Sequence, residues 1–106
     1  MPVDQTSLLH RLVGGDPDAA AEILAKAATS DSASVLVAAA IASGDPHHLK
    51  RATALASNPR ERQLVVLADA HLRGDTDRLD VLVRDHLADH PDHLLAAWIA
   101  GRPQAI

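Results

Sequence analysis

Three histidines near the end of the chain have the spacing with which imidazoles can share a ligand. His86 and His90 are four residues apart and therefore lie on one face of a helix, and His93 follows after a short turn. Asp85, Asp89 and Asp92 are interleaved with them. Imidazoles and carboxylates together can hold Zn or Ni. One interpretation is therefore a metal- or small-molecule-binding protein that uses His86, His90 and His93.

A structural role explains the same histidines without any ligand. His86 falls on the apolar stripe of Leu82 and Val83, which indicates a partly buried core histidine. His90 comes at a predicted helix C-terminus, where a cation is favoured by the negative end of the helix dipole. We prefer this interpretation, so we expect no metal and no cofactor.

Motifs of catalysis are missing from the sequence. There is no Gly-x-Ser-x-Gly elbow, and the run Gly14-Gly15-Asp16-Pro17 lacks the Gly-Lys-Ser/Thr ending of a phosphate loop. The chain has no Cys, which excludes thiol catalysis, thiolate metal sites and disulfides. The sequence therefore predicts no catalytic residue and a protein that is not an enzyme.

Composition excludes two classes of partner. The 106 residues carry 14 acidic and 10 basic side chains, a net charge of -4, and only 1% are aromatic. A nucleic-acid binder or a protein of anionic membranes needs a basic face, and single strands also need stacking rings. The most apolar run, 35–42, is far shorter than the ~20 residues of a membrane span. The amino terminus also lacks the basic start and apolar segment of a signal peptide, so we expect a cytoplasmic protein.

A short turn motif recurs along the chain. Gly15-Asp16 is followed by Gly44-Asp45 and Gly74-Asp75, at spacings of 29 and 30 residues. Glycine can end a helix in the left-handed conformation, and aspartate can cap the next helix. Proline follows the first two copies, at a position where its missing N–H costs nothing. Such a period is typical of stacked helical units.

The apolar periodicity predicts an all-α protein of about seven helices. They are expected at 4–13, 17–29, 31–43, 46–57, 60–73, 76–89 and 92–101. The third is apolar nearly all round and should be central. An irregular closed bundle and an α-solenoid both fit, and the repeat favours a short right-handed α-solenoid of antiparallel helix pairs. We expect one domain, 1–106, with units near 1–29, 30–59 and 60–91 and a terminal helix at 92–102.

Residues 60–91 resemble the tetratricopeptide repeat. In that family a first helix ends at Gly-Asp-x-Asp and Pro closes the unit, and Gly74, Asp75, Asp77 and Pro91 match in register. The chain departs from the pattern at Gln63, Leu67, Ala70 and Leu79, the family's small or aromatic positions. The runs 58–63, 73–78 and 85–92 resemble a bacterial subgroup similar to tetratricopeptide repeat protein 38. This resemblance, over about 33–100, implies a helical-repeat fold and protein–protein interaction.

The resemblance also implies a groove for a partner. Its inner wall would be apolar and suited to an amphipathic helix or an apolar segment. The residues placed there are Ala38, Ile41, Leu64, Ala68 and Leu72.

The last predicted helix contains seven apolar residues in a row, 94–100. The end of a solenoid should carry a polar outer face, so this helix must be covered. It could fold back on the stack, pair with its copy in a homodimer, or dock another protein. The residues concerned are Leu94, Leu95, Trp98 and Ile99, and Trp98 could be either core or interface. We therefore expect a small scaffold or adaptor that self-associates through this helix.

Overall fold

The computed structural model describes residues 5–101, with side chains from residue 8 onward. This part of the chain forms seven α-helices and no strand, which confirms the predicted all-α class. The helices are α1 (Gln5–Val13), α2 (Pro17–Ala27), α3 (Ala33–Ser43), α4 (Pro46–Leu55), α5 (Pro59–Leu72), α6 (Thr76–Asp89) and α7 (Leu94–Gly101). Residues 1–4 and 102–106, which the predicted units include at their ends, lie outside the described residues.

The recurring Gly-Asp turns have the predicted geometry. Gly44 has a φ of 76°, and the corresponding glycines of the other two turns also have positive φ. Asp45 then caps α4, because its carboxylate accepts the backbone N–H of His47. Asp16 and Asp75 cap α2 and α6 in the same way. The repeated sequence therefore marks three equivalent helix-to-helix turns.

The odd-numbered helices form the inner part of the fold. Contacts run from α1 to α3, from α3 to α5 and from α5 to α7, and α7 in turn contacts α1. The even-numbered helices lie outside, where α2, α4 and α6 each pack on the two helices that adjoin them in sequence. The contact of α7 with α1 joins the first and last helices of the described chain. The solenoid of antiparallel pairs stays a prediction.

Helix α3 is at the centre, as its sequence predicts. Eight of its residues are buried, from Ala33 to Ile41 with one half-buried serine among them. Five other helices contact it, namely α1, α2, α4, α5 and α7. Most of these residues are Ala and Val, and their short side chains let neighbouring helices approach closely. Ser32 caps its first turn by accepting the backbone N–H of Val35.

Helix α7 folds back on the other helices, one of the three arrangements that its apolar sequence allows. Leu95, Ala96 and Ile99 are buried in the core, and the helix packs on α1, α3, α5 and α6. The opposite face remains open, where Leu94 is 47% exposed and Trp98 is half-buried. The helix therefore closes the core with one side only.

Replacing Gly44 by alanine should destabilise the fold. A Cβ would meet no atom there, but the positive φ is unfavourable for alanine by about 1–2 kcal/mol. The lower entropy of the unfolded alanine chain offsets part of this cost. We expect urea unfolding to show a loss of about 1 kcal/mol, with no loss for Gly101→Ala, where φ is not positive. Equal stability of the two variants would contradict the role of the turn.

Truncating Ile99 should cost far more than truncating Leu94. Ile99 is fully buried, and large-to-small changes in a core cost about 2–5 kcal/mol. Leu94 is about half exposed, so Leu94→Ala should lose less than about 1 kcal/mol. Urea unfolding of dilute protein measures both. If Ile99→Ala were as mild as Leu94→Ala, α7 would not be part of the core.

Candidate functional site

The three predicted histidines come together beside α5. His86 lies in the last turn of α6, His90 follows the end of that helix, and His93 directly precedes α7. The ring of His86 is in the middle, 5.0 Å from that of His90 and 4.8 Å from that of His93 between centroids. Only 1% of His86 and 8% of His93 are exposed. His86 is thus a core histidine, and more deeply buried than predicted.

Helix α5 supplies two polar partners that sequence reasoning missed. Gln63 Oε1 is 2.8 Å from His86 Nδ1, and Arg60 Nε donates to His93 Nδ1 over 3.4 Å. Between the two rings, His86 Nε2 is 2.6 Å from His93 Nδ1. Arg60 and Gln63 are three residues apart on one face of α5, and this spacing was the available signal. The four side chains form one network, here called the histidine network.

We assign the protons of this network from its one obligatory donor, Arg60. Arginine can only donate, so His93 Nδ1 is an acceptor and the proton of neutral His93 is on Nε2. His86 must then donate from its Nε2 to His93. Neutral His86 therefore has an acceptor at Nδ1, where it meets Gln63. We infer that Gln63 turns its NH₂ group to His86, because amide oxygen and nitrogen are assigned from such networks.

Burial keeps both histidines neutral. Removal from water lowers the pKa of His93 to about 4, and the positive charge of Arg60 adds to this shift. The pKa of His86 is also lowered, first by burial and then by His90 and Arg60. At neutral pH the network therefore contains two uncharged rings and one cation, the Arg60 guanidinium.

The contact of the two rings is that of a hydrogen bond. Two nitrogens bound to one tetrahedral Zn would be roughly 3.3 Å apart, given Zn–N bonds of about 2.0–2.1 Å. The 2.6 Å between His86 Nε2 and His93 Nδ1 is shorter than that. Within residues 5–101, no group of three or more His, Asp or Glu side chains has an arrangement that could hold a metal ion.

A pocket of about 360 Å³ opens beside His93. It lies where α1, α3, α5 and α7 meet and is here called the α1–α7 pocket. Its apolar lining comes from Leu9, Val13, Leu64, Leu94 and Leu95. Its polar lining comes from His10, Ser34, Asn58, Arg60, Glu61, Asp92 and His93. Small-ligand sites combine apolar side chains with polar groups that orient the ligand, and this lining contains both kinds.

Helix α7 begins at this pocket without a side-chain cap. Each of α2 to α6 has a capping side chain that accepts a backbone N–H of its first turn. For α7 no such cap is found among the described residues. The N–H groups of Leu94, Leu95 and Ala96 have no earlier turn to bond to. The positive end of the helix dipole is therefore next to Arg60 and His93.

The predicted interaction residues separate into two groups. Ile41, Leu64 and Ala68 are buried in the core, together with Leu95 and Ile99. Ala38, also placed in the groove wall, is fully buried, and Leu72 is half-buried against the core. These side chains hold the helices together, because α3, α5 and α7 pack on one another. Leu94 and Trp98 are the two of the predicted set that reach the open face of α7.

Acid should destabilise the protein through His93. Its pKa is about 4 when folded and ordinarily 6.5, so between these values the unfolded chain binds more protons. The stabilisation is complete above pH 6.5 and is lost as pH falls towards 4. His93→Asn keeps an acceptor for His86 but does not titrate. Urea unfolding between pH 7.5 and 4.5 should show a smaller loss for this variant than for the unmodified chain or for His47→Asn, on exposed His47. Parallel curves for all three would contradict this assignment.

The comparisons with known proteins find no relative of this chain. The chain matches no protein-family model, no curated protein and no solved structure. The resemblance to the tetratricopeptide repeat therefore has no support from them and stays a prediction. In the described part of the chain, no helix has the length and apolarity needed to cross a membrane.

Proposed function

We propose that this chain is a non-enzymatic protein–protein interaction module that binds a second copy of itself. The observation that carries the proposal is an apolar stripe on the open side of α7. Leu94, Ala97, Trp98 and Gly101 follow one another at i, i+3, i+4 and i+7, so they share one face. Here this face is called the α7 stripe. It has no charged residue, and a second protein would remove it from water.

The shape of the α7 stripe favours another copy as the partner. Large side chains at Leu94 and Trp98 alternate with small residues at Ala97 and Gly101. When two such helices meet about a twofold axis, each large residue of one faces a small residue of the other. A twofold interface requires this self-complementarity, because the same patch serves on both sides. Half-buried Trp98 is the aromatic anchor of the contact.

The helical-repeat interpretation is compatible with self-association through α7. We propose that α1–α2, α3–α4 and α5–α6 are three repeated pairs, each with the same Gly-Asp turn inside it. The positive φ of Gly15, Gly44 and Gly74 supports this equivalence. A strongly curved stack would let α7 reach α1 and leave one helix face at its end for a partner. The role as a scaffold or adaptor rests on that face.

A charge on the α7 stripe should prevent association. Ala97 is exposed on the stripe and does not line the α1–α7 pocket. In a dimer, Ala97→Glu would bury a carboxylate without a partner, a cost of several kcal/mol. Ala21→Glu, at an exposed position within α2, is the matched control. Sedimentation equilibrium should show twice the 11.2 kDa mass for the unmodified chain and the control at high concentration, and the single mass for Ala97→Glu.

Trp98 provides a second measurement, because it is the only Trp and there is no Tyr or Phe. Its fluorescence should move to shorter wavelength as protein concentration rises, and Ala97→Glu should abolish the change. A mass of 11.2 kDa at every concentration, with unchanged emission, would overturn the proposal.

A further inference from the structure

We propose that the α1–α7 pocket binds a small organic monocarboxylate with a compact, branched apolar body. The carboxylate lies between Arg60, His93 and the first turn of α7, and the body lies against Leu9 and Val13. The pocket and the α7 stripe share Leu94, but the contacts to Arg60, His93 and the first-turn N–H groups of α7 do not require a second copy of the chain.

The residues that line the pocket include three kinds of hydrogen-bond donor. Arg60 has no carboxylate partner among residues 5–101, and its one hydrogen bond there is the 3.4 Å contact with His93 Nδ1. The remaining guanidinium N–H groups are thus available to a ligand. His93 is nine-tenths buried and has its proton on Nε2, the ring nitrogen that makes no hydrogen bond within the described part of the protein.

The first turn of α7 supplies the third kind of donor, its backbone N–H groups. Leu94 and Leu95 line the pocket, and their backbone N–H groups lack a capping side chain. Such groups favour an anion, and the helix dipole adds to the attraction. A carboxylate oxygen placed there would accept a first-turn N–H group of α7. In α5 the Asn58 side chain accepts the N–H of Glu61 in this way.

The acidic residues of the pocket restrict the ligand to one negative charge. Glu61 Oε1 accepts hydrogen bonds from the backbone and hydroxyl of Ser57 and from Asn58, so its charge is already compensated at the start of α5. Those bonds from Ser57 also lower the pKa of Glu61, which keeps it ionised. Asp92 is exposed to water. A second carboxylate on the ligand would face both of them without another free cation on the pocket wall.

The volume of the pocket and its apolar lining determine the shape of the rest of the ligand. A volume of about 360 Å³ is near the lower end of the ~300–1,000 Å³ typical of small-molecule pockets. The apolar wall consists of branched aliphatic side chains with no aromatic ring. A short branched aliphatic body fits this wall by contact alone, and burying it supplies the non-directional part of the affinity.

The test is an NMR titration of the full chain at pH 7.5 with three probes of one carbon skeleton. 4-Methylpentanoate has one carboxylate, 4-methylpentanamide replaces it by a neutral amide, and isobutylmalonate adds a second carboxylate. We expect saturable shifts of the Leu94, Leu95 and Ala96 amide signals with 4-methylpentanoate. The amide should bind at least about tenfold more weakly, since one charge-assisted hydrogen bond exceeds the 1.4 kcal/mol that a factor of ten requires. Isobutylmalonate should also bind more weakly, because its second carboxylate would face Glu61 and Asp92.

Matched variants connect the binding to the proposed groups. Arg60→Gln should weaken binding of 4-methylpentanoate by about tenfold or more, whereas Arg62→Gln, at an exposed position on the same helix outside the pocket, should leave it unchanged. His93→Asn keeps the acceptor for His86 but lacks the Nε2 donor, and should weaken binding several-fold with an unchanged far-UV spectrum.

Four outcomes would overturn the proposal. They are absence of saturable shifts with 4-methylpentanoate, equal affinity for the amide, equal or tighter binding of isobutylmalonate, and binding that Arg60→Gln leaves intact.

Discussion

The fold depends on the need to cover a helix that is apolar on nearly every side. Eight of the eleven residues of α3 are buried, so other helices must pack around it from several directions. Burial of apolar area is the main stabilising contribution, at about 25 cal/mol per Å². A flat row of helices could cover α3 on two sides only. The contacts of α3 with α1, α2, α4, α5 and α7 show how the chain meets this constraint.

That constraint also explains the position of α7 and the near absence of aromatic residues. Eight buried residues of α3 are alanines and aliphatic residues, so helix axes come close without large rings between them. Since α1 and α5 already border α3, the remaining side is filled by an eight-residue helix from the end of the described chain. Trp98, the single aromatic residue, packs at the edge of this core rather than within it.

The helices and their ends could be predicted from sequence because local rules decide them. In the described residues, predicted and observed helix ends differ by at most two residues, and all three Gly-Asp turns have the expected caps. The histidine network could be predicted only in part. Helical spacing brought His86 and His90 together, but the bonds to Arg60 and Gln63 join residues 23 to 33 positions apart. Such contacts depend on how α5 packs on α6, which periodicity does not specify.

The same limit applies to the apolar residues assigned to a groove. Ile41, Leu64 and Ala68 are apolar in any arrangement, and only the packing of α3 on α5 makes them core. Composition cannot distinguish an apolar wall that faces a partner from one that faces another helix of the same chain. For α7 the distinction is made within one helix, since the Ile99 side is covered and the Leu94 side is open.

The histidine network shows why a polar group at this depth has consequences beyond stability. A buried imidazole pair costs desolvation, and an aliphatic pair at 86 and 93 would pack without that cost. The network offsets this cost because each ring nitrogen of His86 has a partner, and Arg60 makes a longer contact with the acceptor nitrogen of His93. At the surface, the network holds the ring of His93 in one orientation and one protonation state at the start of α7. A neutral donor beside a cation and an uncapped helix end suits an anion, because the buried ring and the helix end are already in place and His93 need not lose a proton when a ligand arrives.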